Sequence, residues 1–470
     1  MSIVSARRVS QLFFVALFVW FCVVSTLGDL PWQLRGWPVN WLLELDPLVG
    51  IATLLSTRTL YAGLLWGLAT VALTLVLGRV FCGWICPFGA MHQFLGYLGR
   101  RRKKPAAQLE ANRFRPAQAV KYYILVFFLA AAVLPPAGWL SSGSLLTGLL
   151  DPLPLVHRSV NLILLPLADR AGLNFSPLPR WYEGAWLIGA VFLTALFLNL
   201  RVPRFYCRFV CPLGALLGLL SRFALWRIGR TEEGCTDCRL CERGCEGACA
   251  PTGRIRISEC VMCLNCLDEC RHDAVAYRTR PSAGGEILLP DLSRRGFIVS
   301  AVSGVVAAPV MRLGGATGPN WNPGLIRPPG ALPEEAFLAR CIRCGQCMRV
   351  CPTNVIHPAG LEAGLEGLWT PKLSFRAGTS GCQHTCIACG HLCPTAAIRP
   401  IRLDERRGLN EFSGRGPIRI GMAFVDRGRC LPWAMDRPCI VCQENCPVSP
   451  KAIFTREVFS AVRTSAPLTL

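Results

Sequence analysis

The sequence predicts an α-helical membrane domain of four helices in two related pairs, a candidate fifth helix, and two small α+β domains rich in cysteine. Three observations lead there. Of the 470 residues, 52% are hydrophobic, the mean hydropathy is +0.39, and the apolar excess lies before residue 230, as expected for a membrane protein with soluble parts. The 26 cysteines fall mostly in runs spaced C-x2-C-x2-C-x3-C or close to it, a pattern of cluster ligands rather than disulfides. Between two such regions stands Ser293-Arg294-Arg295-Gly296-Phe297-Ile298 and then a short apolar run, which divides the chain in two.

The length suits two or three domains. A net charge of +21 raises the question of nucleic acid, but the basic residues gather at helix ends, as at Arg100, Arg101, Arg102, Lys103 and Lys104. Membrane topology explains that better, and no nucleic-acid partner is expected.

In chain order, residues 11–27 follow Arg7 and Arg8 and read as a helix entering from the cytoplasm. A loop bearing Trp32, Trp37 and Trp41 suits a membrane interface, and residues 60–77 supply a return helix. Residues 122–140 and 181–200 make a second out-and-back pair, with Lys121 before it and Arg201, Arg204 and Arg208 after it. Residues 48–55 and 160–167 are too short to span and are expected at the outer face. The membrane domain then covers residues 1–230.

The two pairs read as repeats. Leu45-Asp46-Pro47-Leu48 and Leu150-Asp151-Pro152-Leu153 each precede a return helix, and the return helices end in Cys82-x3-Cys86-Pro87 and Cys207-x3-Cys211-Pro212. Four sulfurs at equivalent depths on related halves can converge on one site. Three readings stay open for Cys82, Cys86, Cys207 and Cys211: a four-thiolate metal or iron–sulfur site, a redox-active thiol pair, or close packing.

Residues 231–285 carry Cys235-x2-Cys238-x2-Cys241-x3-Cys245 and Cys260-x2-Cys263-x2-Cys266-x3-Cys270, the spacing of a bacterial two-cluster ferredoxin. Three close thiolates bind one 4Fe-4S cube and the fourth reaches its neighbour, so Cys235, Cys238, Cys241 and Cys270 are expected together. Glu246 and Arg271 stand where proline usually follows, and Cys249 competes with Cys245 for the second cluster. Residues 290–315 read as an internal twin-arginine export signal or a fifth helix. After a linker at 316–333, residues 334–470 hold Cys341-x2-Cys344-x2-Cys347-x3-Cys351-Pro352, Cys382-x3-Cys386-x2-Cys389-x3-Cys393-Pro394 and Cys430-x8-Cys439-x2-Cys442-x3-Cys446-Pro447. Fourth cysteines are exchanged in pairs, so three motifs leave one without a partner. The domain is expected to be incomplete, or completed by another subunit.

On these motifs, residues 1 to about 280 resemble the NapH-type membrane subunit of quinol dehydrogenases. Residues 290–470, with the stretch from Ile326 through Cys341, Cys344 and Cys347, resemble its exported NapG/MauM-type ferredoxin partner. The resemblance implies a bacterial inner-membrane, multi-pass protein with two cytoplasmic and at least two exported 4Fe-4S clusters. Its implied partners are membrane quinol and a periplasmic redox protein or cytochrome.

His92 and His157 are read as hydrogen-bonded structure rather than quinone ligands, and Cys22 as packing. No covalent-haem motif and no nucleophile–base constellation occurs, so no catalytic residue is expected. Two functions remain open: a redox relay between quinol and a periplasmic oxidoreductase, and an accessory factor that supplies electrons for maturing or activating a periplasmic metalloenzyme.

Overall fold

The computed structural model describes residues 2–27, 38–101, 103–133, 143–176, 179–231, 234–313, 325–378, 381–421, 423–446, 450–458 and 468–469. Trp32, Trp37, residues 134–140 of the expected third span and residues 318–324 of the linker lie outside them. The chain forms two compact units, Met1–Ile418 and Arg419–Leu470.

The expected four-helix membrane domain is not what forms. Among the described residues, two helices are long and apolar enough to cross a membrane by length and composition, Ile3–Thr26 and Arg294–Met311. The other expected spans break up. Residues 60–77 begin as a 3-10 turn, Ala62–Trp66, and continue as Gly67–Leu77, which stops at Gly78 with φ of +75°. The remaining two yield helices Val120–Ala132 and Ala185–Phe197, each of 13 residues. At about 1.5 Å per residue such a helix reaches roughly 20 Å, short of the ~30 Å hydrocarbon core.

The two segments expected at an outer face each pack one side into the protein. Helix Pro47–Thr57 buries Leu48, Val49 and Ala52, and the run from Pro152 through Leu165 buries Leu153, Leu155, Val156, Val160 and Leu162. The repeat shows here in space. Asp46 and Asp151, one from each Leu-Asp-Pro-Leu motif, are fully buried and their carboxyl groups lie within electrostatic reach of each other. Asp46 also caps its helix, accepting from the Leu48 N–H at 2.9 Å.

Two cysteine-rich blocks sit in the first unit. Each combines one antiparallel strand pair, Arg227–Arg230 with Val275–Arg278 and Ile356–Pro358 with Pro371–Leu373, with two short helices, Leu240–Arg243 and Asn265–Glu269, then Gln346–Val350 and Ala388–His391. Helix Ile3–Leu27 touches both blocks from opposite ends. Arg7 donates to the Cys263 carbonyl and, at 3.0 Å, to Asn265 Oδ1 of the first block. At the other end, Arg349 of the second block donates to the Cys22 carbonyl at 3.5 Å and to Thr26 Oγ1 at 3.4 Å. Between Arg7 and Cys22 the helix axis advances roughly 22 Å.

Helix Arg294–Leu313 lies along Val120–Ala132. The Ser293 N–H donates to Tyr123 at 3.0 Å, and a Cβ on Gly304 would come within 2.3 Å of the Phe127 carbonyl oxygen, so glycine permits the approach. The first block is tied to this layer by a buried ion pair, Lys121 Nζ to Glu259 Oε2 at 2.5 Å, with Tyr122 donating to Glu259 Oε1 at 2.9 Å. Removing one member of such a pair strands the other charge. Lys121→Ala is therefore expected to cost about 3–5 kcal/mol, read as a large fall in melting temperature, and Lys121→Met with Glu259→Gln to recover most of it.

Candidate metal centres

The C-x2-C-x2-C loops curl because residues between their cysteines take left-handed backbone: Asp237 and Arg239, Met262 and Leu264, then Arg343 and Gly345, with φ between 51° and 78°. The curl turns successive thiols inward. In the first block Cys235, Cys238 and Cys241 line a small cavity together with Cys270 from the second motif, the exchanged arrangement expected from spacing. Cys263 and Cys266 lie within electrostatic reach of Cys260 and Cys245. Both competing cysteines are at that place: Cys249 Sγ stands 3.3 Å from Cys245 Sγ and is hydrogen-bonded to Cys260.

The second block repeats the exchange. Cys341, Cys344 and Cys347 share a cavity with Cys393, while Cys382, Cys386 and Cys389 neighbour Cys351. Burial pushes the Cys341 and Cys382 thiols up to about 11, so each needs a metal or a strong cation to hold it as thiolate. The third motif lies in unit Arg419–Leu470, where Cys430 precedes helix Leu431–Met435, Cys442 lies in helix Val441–Glu444, and Cys439 and Cys446 flank the latter. Within that unit Cys442 is exposed and the other three are partly buried.

The two C-x3-C-P motifs meet. Cys86 feels the charge of Cys82 and Cys207, and Cys211 that of Cys207 and Cys82. The halves match in detail: Cys86 and Cys211 are both extended residues directly before a Pro-initiated helix, and Cys211 Sγ accepts from the Gly214 N–H at 3.1 Å. Spacing analysis missed the arginines. Arg79 and Arg204 each stand three residues before the first cysteine, so the repeat is R-x2-C-x3-C-P, and both are buried beside the four thiols.

Charge tests whether anionic clusters suit these places. Arg7, Arg79, Lys121, Arg204 and Arg208 are each at most 1% exposed, and the carboxylates facing them are Glu246 and Glu259. Around the second block Arg158, Arg343 and Arg180 donate to main-chain carbonyls. Burying a cation costs on the order of several kcal/mol without a counter-charge. Thiolate-ligated clusters supply one, so the residues fit the group. Among the described residues no three His, Cys, Asp or Glu side chains close around a single metal ion. Four thiols rimming a cavity instead suit a cube whose irons stand at separate corners.

His157 Nδ1–H donates to the Leu153 carbonyl at 2.9 Å and the ring packs edge-on to Phe18; His92 packs against Phe88 and Tyr206. Cys22 is buried in the apolar cluster.

A family model described as a 4Fe-4S binding domain matches residues 59–105 and 183–231, which contain both C-x3-C-P motifs. Another of the same description matches residues 338–357. A putative electron transport protein, YccM of Escherichia coli K12, is 27% identical over 281 residues, 56% of this chain and 72% of that protein. The regulatory protein NosR of Pseudomonas aeruginosa is 32% identical over 231 residues, 48% of this chain but 27% of NosR. The ferredoxin-type protein NapG of E. coli K12 is 37% identical over 142 residues, 30% of this chain and 54% of NapG. No solved structure matches. An iron–sulfur electron-transfer function follows. The relatives are of two kinds, YccM and NosR on one hand and the ferredoxin-type proteins NapG and MauM on the other.

The exchanged geometry makes a specific expectation. Cys238→Ser and Cys270→Ser should each remove the same single cluster, the double variant should lose no more iron than either alone, and Cys344→Ser should leave that cluster's spectrum intact. Iron content and low-temperature paramagnetic resonance of the reduced protein check this.

Proposed function

We propose that the chain is the iron–sulfur core of a membrane quinol dehydrogenase, a NapH-type segment joined to a NapG/MauM-type ferredoxin, carrying electrons from quinol to a periplasmic oxidoreductase. The ligand sets are Cys235, Cys238, Cys241 and Cys270; Cys260, Cys263 and Cys266 with Cys245; Cys341, Cys344, Cys347 and Cys393; and Cys382, Cys386 and Cys389 with Cys351. Cys82, Cys86, Cys207 and Cys211 hold a joint site between the blocks. The bound clusters supply one-electron redox chemistry; the chain's own residues set their spacing and charge.

One observation carries this reading: the joint site rests on the first block and shares an apolar cluster with the second. A Cβ on Gly83 would lie 2.4 Å from the Val261 carbonyl oxygen, and Trp84 Nε1 donates to the Met262 carbonyl at 3.0 Å, so the first C-x3-C-P loop rests on the Cys260–Cys263 loop. On the other side Cys86, Cys211, Tyr206, Ile342 and Cys344 belong to one apolar cluster. Helix Ile3–Leu27 fixes the sidedness in this proposal, with Arg7 and Arg8 in the cytoplasm and the second block outside. Helix Arg294–Leu313 then carries the twin-arginine signal.

A second reading, an accessory factor supplying electrons to a periplasmic metalloenzyme, draws on the likeness to the regulatory protein NosR.

Anaerobic addition of a short-chain quinol is expected to bleach the cluster absorbance of both blocks. With Cys86→Ala, the first block alone should bleach. Equal reduction of both blocks in that variant removes the joint site from the path, and no bleaching in the parent protein overturns the quinol reading. Reporter fusions near residues 285 and 460 should report opposite sides, and Arg294→Lys with Arg295→Lys should retain the second block inside.

A further inference from the structure

A cavity of about 530 Å³ opens between helices Ile3–Leu27 and Pro87–Arg101, within the size range of small-molecule sites. Its mouth is largely apolar although it faces outward, with Leu12 71% exposed, Phe94 65% and Tyr97 44%, and the exposed Arg8 stands at one edge. Its floor is polar and ordered. Gln11 Nε2 donates to the Gly83 carbonyl at 2.6 Å and to Gln93 Oε1 at 2.5 Å, and Arg204 donates to Gln93 Oε1 at 3.1 Å and to the Cys82 carbonyl at 3.0 Å. Arg7, also in the floor, donates to the Cys263 carbonyl. The same side chains thus border the cavity and hold the main chain of two cysteine motifs, Cys82 of the joint site and Cys263 of the first block.

The chemistry of the occupant follows from this layout. It needs an apolar body or tail to cover the mouth, a polar end for the floor, and a reason to sit one side chain from two redox sites. The floor carries Arg7 and Arg204 against Glu246, an excess of positive charge that favours oxygens losing protons.

We propose that this cavity binds the ring of a quinol and is where electrons enter the chain; the proposal rests on the relay reading above. The ring oxygens meet the Gln93–Arg204–Gln11 floor, and the tail leaves past Leu12 and Phe94 into lipid. On oxidation two O–H bonds break and two C=O bonds form. The two electrons would go singly to two oxidised iron–sulfur clusters, and the two protons leave past the exposed Arg8 at the cytoplasmic edge of the cavity to water.

The test uses the full chain with its clusters, in lipid nanodiscs, and a photoreactive azido-quinone as probe. Saturable labelling of residues 8–15 and 90–97 is expected. Leu12→Trp, which fills the mouth from an exposed position, should weaken probe binding at least about tenfold at unchanged iron content. Trp186→Ala, an exposed apolar residue outside the cavity, should bind as the parent does. Labelling of other segments, with Leu12→Trp binding normally while quinol still bleaches the clusters, overturns this site and leaves the relay standing. Absence of both saturable labelling and quinol-driven bleaching overturns both.

Discussion

The burial of positive charge governs this structure. Arg7, Arg79, Lys121, Arg204 and Arg208 are withdrawn from water around the first cysteine block and the C-x3-C-P motifs, with Glu246 and Glu259 as the carboxylates among them. Hydrogen bonds to carbonyls satisfy much of their donor capacity, as Arg79 does with Ser258 at 2.7 Å and Arg208 with Ala111 at 2.9 Å, but carbonyl dipoles do not cancel a net charge. Anionic clusters at the cysteine sites would balance it. The polypeptide is therefore shaped for the loaded state, and its fold and its redox chemistry share one electrostatic requirement.

Packing adds a second requirement, continuity. Gly83 admits the Val261 carbonyl where any side chain would collide, and Ile342 lies so close to Gly148 that a Cβ there would meet the Ile342 oxygen at 2.1 Å. Both glycines sit where a cysteine motif is pressed against a neighbouring block. The buried Asp46 and Asp151, one from each half, lie near each other, and Tyr206 donates to the Leu150 carbonyl beside Asp151. Side-chain volume is removed where redox sites approach and added where the repeats must hold together.

Much of the cluster architecture was legible in spacing. Three close cysteines plus a displaced fourth is a local covalent pattern, and the exchange of Cys270 and Cys393 into the opposite motif's cavity is what that pattern implies. The duplicated Leu-Asp-Pro-Leu and C-x3-C-P elements likewise marked the two halves. Hydropathy misled at the helices. Residues 60–77 and 181–200 are apolar along their length, yet Gly67, Gly78 and Gly184 place turns or close approaches in or beside them, and short helices with exposed apolar residues such as Leu68 and Trp186 result instead of spans. Apolar composition reports that a segment avoids water; it does not separate lipid from protein as the alternative.

The sequence by itself determined the cysteine motifs, their spacing and the two-fold repetition, because those depend on residues adjacent in the chain. Only the tertiary structure decided that Arg79 and Arg204 flank one joint site, that both Cys245 and Cys249 stand beside Cys260, and that the floor between Ile3–Leu27 and Pro87–Arg101 touches two cysteine motifs at once. Those facts depend on partners up to 258 residues apart, as Arg7 and Asn265 are. Which distant segments meet is set by the packing of many surfaces together, and no local pattern encodes it.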